Sequence, residues 1–184
     1  MTSKLVERLF EHEGLAPLLA LRKEGGVPAG AEAADLLSRA ALLALGAAAD
    51  VARRQECGDE VRIYVPAPPP PGPGLLVLGA SPPAGGTAFL RELATLRLTG
   101  PIGARIVVDF GAVGLEIAQV ALSFGATDWA GPIARRGGLP LIDADDQRKL
   151  VKRREIAGFV ERAGFRPLFV STDAPPPVRS HVES

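Results

Sequence analysis

The sequence is poor in sulfur, histidine and aromatic residues, and carries no excess of charge of either sign. Its 184 residues include one cysteine, Cys57, and two histidines, His12 and His181. One thiol excludes an internal disulfide, a chain-contained iron–sulfur cluster and a cysteine-rich zinc site. Two imidazoles exclude a histidine-rich metal site, and the expectation for this chain is no metal and no other cofactor. Lys and Arg number 21 and Asp and Glu number 21, a formal net charge of zero. That balance gives no electrostatic footprint for nucleic acid or for an anionic membrane surface. Long hydrophobic runs are also missing. The longest stretch free of charge, polar residues and proline is Ala40 to Ala49, too short to cross a bilayer and interrupted by Gly46. The first thirteen residues carry Lys4, Glu7, Arg8, Glu11 and Glu13 and lack the apolar run of a secretory signal. The expectation is a cytoplasmic protein without a membrane partner, and a lone cysteine agrees with a reducing compartment.

Apolar residues make up 47% of the chain and aromatics only 5%, so the core has to be built from Ala, Leu, Val and Ile. Four segments follow from the pattern: helices and a first strand over 1–65, a proline connector over 66–74, an α/β core over 75–172, and a disordered tail over 173–184. Helical spacing marks Lys4 to Phe10, closed by Gly14, and Leu15 to Arg22, closed by Gly25 and Gly26. Glu32 to Gln55 reads as one long helix ended by Gly58, with Gly46 either admitting a neighbour or dividing it. Val61, Ile63 and Val65 alternate as one face of a strand. Pro66 stops it, and the run to Gly74 reads as a polyproline II connector, a spacer or a docking segment for a proline-binding domain.

Beyond the connector, strand and helix patterns alternate. Leu75 to Leu78, Ile106 to Val108, Trp129 to Ile133 and Leu168 to Val170 read as strands. Thr87 to Leu98 and Leu115 to Phe124 read as helices. A third helix is expected from Ala144 to Ala163, with Asp143 as its N-cap and Gly164 as its stop. Such alternation predicts parallel strands joined by right-handed crossovers. The strands are too few for a complete eight-stranded barrel, which leaves an open sheet or a partial (β/α) barrel behind leading helices.

In such folds ligands bind at the carboxyl ends of the strands, and the candidate residues cluster there. Gly79, Ser81 and Thr87 lie in a turn between a strand and a helix, where backbone N–H groups can hold an anion and Thr87 can cap the helix. Asp109 follows a strand and can orient a hydroxyl or cation, or cap the turn. Glu116 and Gln119 lie three apart on one helix side, facing a pocket or solvent. Asp128 precedes the only tryptophan. The basic run Arg148, Lys149, Lys152, Arg153 and Arg154 is interleaved with acids and reads as a solvated helix face. No arrangement ties His12 or His181 to a nucleophile.

The stretch Gly114-Leu115-Glu116-Ile117-Ala118-Gln119-Val120-Ala121-Leu122-Ser123-Phe124-Gly125-Ala126-Thr127-Asp128-Trp129-Ala130-Gly131 resembles the late barrel segment of the radical S-adenosylmethionine enzymes of the futalosine route to menaquinone. Those are the aminofutalosine synthase and the dehypoxanthinyl futalosine cyclase; the deazaflavin (FO) synthase subunits are similar there. Glu161 to Pro167 is similar to the closing helix and last strand of that family, and Leu36 to Val65 to its leading helices and first strand. The departures are specific. The family's CxxxCxxC cluster motif follows its first strand, where this chain has the proline connector. Ser81 and Pro82 stand where an acidic residue is expected, and Ala130 and Pro132 replace an acid and a Thr. Of the acidic turn only Asp128 is present.

The resemblance therefore implies a truncated, cluster-less relative with no catalytic residues. Such a chain acts by binding, with a link to menaquinone biosynthesis. A partial barrel leaves edge strands and an open apolar inner face, to be covered by a second copy or by a related full-length enzyme. The alternative is a small-molecule enzyme using Asp109, Glu116, Gln119 and Asp128 at the strand ends.

Overall fold

A computed structural model describes residues 4–65, 67–72, 74–78, 85–134 and 150–172. Leading helices α1 (Lys4–His12), α2 (Ala16–Lys23), α3 (Gly30–Arg39) and α4 (Leu42–Cys57) precede strand β1 (Glu60–Val65). Then come β2 (Leu75–Leu78), α5 (Gly86–Thr99), β3 (Arg105–Asp109), the short α6 (Phe110–Val113), α7 (Leu115–Leu122), β4 (Asp128–Ala130), α8 (Arg153–Arg162) and β5 (Arg166–Ser171). The five strands form one sheet in the order β2-β3-β4-β1-β5, and every pairing is parallel. No helix among the described residues is long and apolar enough to cross a membrane.

Side-chain parity divides the sheet into two unlike faces. Val61, Ile63 and Val65 of β1, Ile106 and Val108 of β3 and Trp129 of β4 join the main apolar cluster. All eight helices among the described residues contribute side chains to that same cluster. The opposite parity gives Tyr64, Val107 and Ala130, with Leu75 and Val170 against them and no helical residue.

Strand order also fixes the task of the proline connector. The chain leaves the carboxyl end of β1, fourth in the sheet, and re-enters at the amino end of β2, on the far edge. The right-handed crossover rule assigns a connection in that direction to the face without helices. Nine residues in polyproline II conformation can reach about 28 Å, enough for a diagonal across three strand spacings of about 4.8 Å.

Both sheet edges are blunted. Arg166 N donates to Asp59 and Thr172 N to Val65, so the even residues of β5 face β1 and Pro167 falls on the free edge, where it offers no donor. On β2, Leu75 exchanges two hydrogen bonds with Gly72, leaving Val77 alone with an outward backbone pair.

Two expected helices differ. The long helix from Glu32 is broken at Ala40 and Ala41, whose ψ angles are 144° and 133°. Nothing in that Ala-Leu run breaks a helix. Distant side chains satisfy the broken ends: Glu13 accepts from Ala41 N at 2.9 Å, and Arg91 donates to the carbonyls of Leu37 and Ala40 at 3.0 Å. The expected helix from Ala144 starts only at Arg153, with Lys152 as N-cap. Val151 instead bridges Ile133, donating to Pro132 and accepting from Ala134, and this holds residues 150–152 out of helix. Asp143, the expected cap, lies outside the described residues, as do the basic pair Arg148 and Lys149 and the tail from residue 173.

Gly46 sits mid-helix and admits a neighbour: a Cβ there would lie 2.7 Å from the Phe124 ring. Alanine gains about 1 kcal/mol of helix propensity but overpacks at a cost of about 1–3 kcal/mol. Gly46→Ala is expected to lower stability by about 1–2 kcal/mol in denaturant unfolding followed by the Trp129 fluorescence; an unchanged or higher midpoint would contradict this packing.

Candidate functional site

The amino end of the sheet is closed by buried arginines. Arg22 holds Glu56 through two bonds of 2.8 and 2.9 Å, and its Nη1 donates to the carbonyls of Leu98 and Gly100. Glu56 also accepts from Gly103 N at 3.0 Å and pairs with Arg97 at 3.4 Å. Arg53 donates to the carbonyls of Ala126, Gly58 and Glu60, and stacks 4.0 Å over the Phe165 ring. Burial pulls the Arg53 guanidinium down to about 10, short of neutralising it at ordinary pH. Cys57 lies at this same end, its Sγ 3.8 Å from the carbonyls of Gly103 and Ala104 ahead of β3.

The carboxyl end carries a cleft of about 310 Å³ on the helical side. Phe110, Leu115, Pro132 and Phe159 form apolar walls, and Glu116 and Glu155 stand on it. Phe110 is held by packing against Trp129, with ring centroids 6.2 Å apart, and against Gly131. Gly131 has φ 153°, and a Cβ there would lie 2.7 Å from the Phe110 ring. Glu116 and Glu155 sit in the first turns of α7 and α8, where helix dipoles favour carboxylates.

The second face carries a polar centre. Asp128, fully buried, accepts from Arg105 Nε at 2.8 and 2.9 Å, from Arg105 Nη2, and from the Tyr64 hydroxyl at 3.0 Å. Burial alone would lower the Arg105 guanidinium, but the bonds and charge of Asp128 outweigh it and hold it above its ordinary value. Burial first, then the Asp128 charge and hydrogen bond, pushes the Tyr64 hydroxyl up.

The sequence candidates do not converge. Glu116 lines the cleft. Gln119 donates to the Phe159 carbonyl at 2.9 Å and so ties α7 to α8. Asp109 accepts from Gly111 N at 2.8 Å as the cap of α6. Thr87 is exposed and does not cap α5, whose N-cap is Gly85 at φ 113° without a side-chain bond. Gly79 and Ser81 lie outside the described residues. Asp128 faces the second side of the sheet. Tyr64, Arg105 and Glu155 escaped sequence reading. Tyr64 and Arg105 are at strand positions out of phase with the apolar face, a parity that polar solvent-facing residues share.

The second face is thus not simply apolar, and two outcomes follow. Arg105→Met leaves the Asp128 carboxylate with Tyr64 alone and is expected to cost about 3–5 kcal/mol, whereas Arg105→Met with Asp128→Leu should restore most of it; an additive cycle would sink the pairing. Tyr64 is the chain's single tyrosine. With its folded pKa raised, the unfolded chain releases the proton first, so stability is full below about pH 10 and falls as pH rises through the folded value. Tyrosinate absorbance should therefore rise later than in the denatured chain, and Tyr64→Phe should flatten the alkaline loss of stability. No family model and no curated protein sequence matches the chain.

Proposed function

We propose that the chain is a binding subunit rather than an enzyme, a barrel fragment related to the radical S-adenosylmethionine enzymes it resembles. The carrying observation is the state of Asp128. It is the one acid present from the resembling turn, and Arg105 and Tyr64 hold it fully buried. A carboxylate so engaged packs the sheet and leaves nothing for proton transfer. The placement of Cys57 adds support, because the only thiol lies at the end of the sheet opposite the cleft.

Several features favour a partial barrel. All helices among the described residues lie on one face, as in a barrel wall. Strands β2, β3 and β4 are sequential neighbours, as in a barrel, although β1 lies between β4 and β5 rather than beside β2. The fitting partners are a second copy or a full-length enzyme of the same kind, and a link to menaquinone synthesis rests on the resemblance alone. With the edges blunted, a partner would meet a face or the strand ends.

The second reading, a small-molecule enzyme, is favoured by the cleft with Glu116 and Glu155. The same purified chain separates the two. After anaerobic reconstitution, iron and sulfide should stay far below one cluster per chain, and light scattering should give a mass above the monomer or a stable complex with a related enzyme. A stoichiometric cluster, or a strict monomer whose melting temperature rises with a metabolite and loses that rise in Glu116→Gln, would overturn the binding reading.

A further inference from the structure

The connector between β1 and β2 offers a surface that neither the cleft nor the Asp128 centre uses. Ala67, Pro68, Pro69 and Pro70 each precede a proline, which confines them to extended or polyproline II backbone. The prolines fix φ near −65° as well, so the segment is stiff by covalent structure alone.

Both of its ends are anchored to the sheet. Thr172, just past β5, donates its hydroxyl to the carbonyls of Ala67 and Val65 at 3.0 and 3.2 Å. Gly72 and Leu75 exchange bonds of 3.2 and 3.0 Å at the entry to β2. Between the anchors Pro68 is half-buried, while Pro69, Pro70 and Pro71 are exposed. Among the described residues, no hydrogen bond reaches the carbonyls of Pro68 to Pro71. A spacer needs only length; this segment also holds three exposed rings and free imide carbonyls in one preset conformation.

We infer that Ala67–Gly72 is a docking ridge for a protein domain with an aromatic-lined groove. Such grooves stack Trp and Tyr rings on prolines and donate their N–H and O–H groups to the carbonyls between them. Clamping both ends removes much of the ordering cost that a free peptide of the same sequence meets on binding. The ridge shares no residue with the cleft or with the second-face centre, and its failure leaves the binding-subunit reading untouched.

The test titrates isotope-labelled WW and SH3 domains with the full-length chain up to about 1 mM. The expected result is a saturable shift of the groove aromatics of at least one domain. A Pro69→Ser, Pro70→Ser double variant should weaken it about tenfold or more. The same variant should keep the native Trp129 fluorescence and melting temperature, because both rings are exposed. The free peptide of residues 66–74 should bind more weakly than the chain. Silence from every domain, an unchanged affinity in the folded double variant, or equal binding by the free peptide would each overturn the clamped ridge.

Discussion

The constraint on which the rest depends is that, among the described residues, the parallel sheet has helices on one face only. Parallel sheets ordinarily bury both faces, because each crossover lays a helix over the strands. Four of the five strands here receive their chain from the helical side, and only β2 is reached by a connection without a helix. The second face therefore has to be settled by its own side chains. At its centre Asp128 is fully buried, a position that needs a counter-charge and filled lone pairs. Arg105 supplies the charge from the neighbouring strand and Tyr64 a hydroxyl from the other side. The three span β3, β4 and β1, so they fix the lateral order of the strands where β4 is only three residues long.

The two ends of the sheet differ in what fills them. At the amino end, Arg22, Arg53 and Arg97 reach into loops and satisfy carbonyls that no strand pairs. Each guanidinium serves several acceptors at once, which a planar fork does better than an ammonium. That end holds the polypeptide together. The carboxyl end keeps an open cleft, and there the glycines serve packing, since Gly131 makes room for the Phe110 ring. The open space thus lies at the strand ends where such folds place their ligands.

Periodicity made most elements legible. Alternation in Val61, Ile63 and Val65 and the apolar spacing of Phe89, Leu90 and Leu93 mapped onto β1 and α5 because burial on one face leaves that signature in the sequence. What stayed hidden was set by long-range contacts. The break at Ala40 depends on Glu13 and Arg91, 28 and 51 residues away. The late start of α8 depends on a bridge from Val151 to Ile133. Strand order was not legible either, since no local pattern says that β1 lies between β4 and β5. Of the candidate site, Glu116 reached the cleft, whereas Gln119 and Asp109 proved to satisfy backbone groups. Their chemistry is the same in either role, and only geometry separates the two.

That ambiguity bears on how Asp128 is to be understood. An acid at a strand start is equally suited to activating a substrate and to pairing with an arginine across a strand. The choice is made by Arg105, whose position two residues before Val107 puts it on the face of Asp128, and by Tyr64, whose parity on β1 does the same. With two donors in place the carboxylate is satisfied without a ligand. Removing one partner of a buried charge pair is costly, so Asp128 and Arg105 hold each other in place with Tyr64 beside them. Asp128, at the start of β4, therefore completes the packing of the second face at the same end of the sheet as Cys57 and away from the cleft.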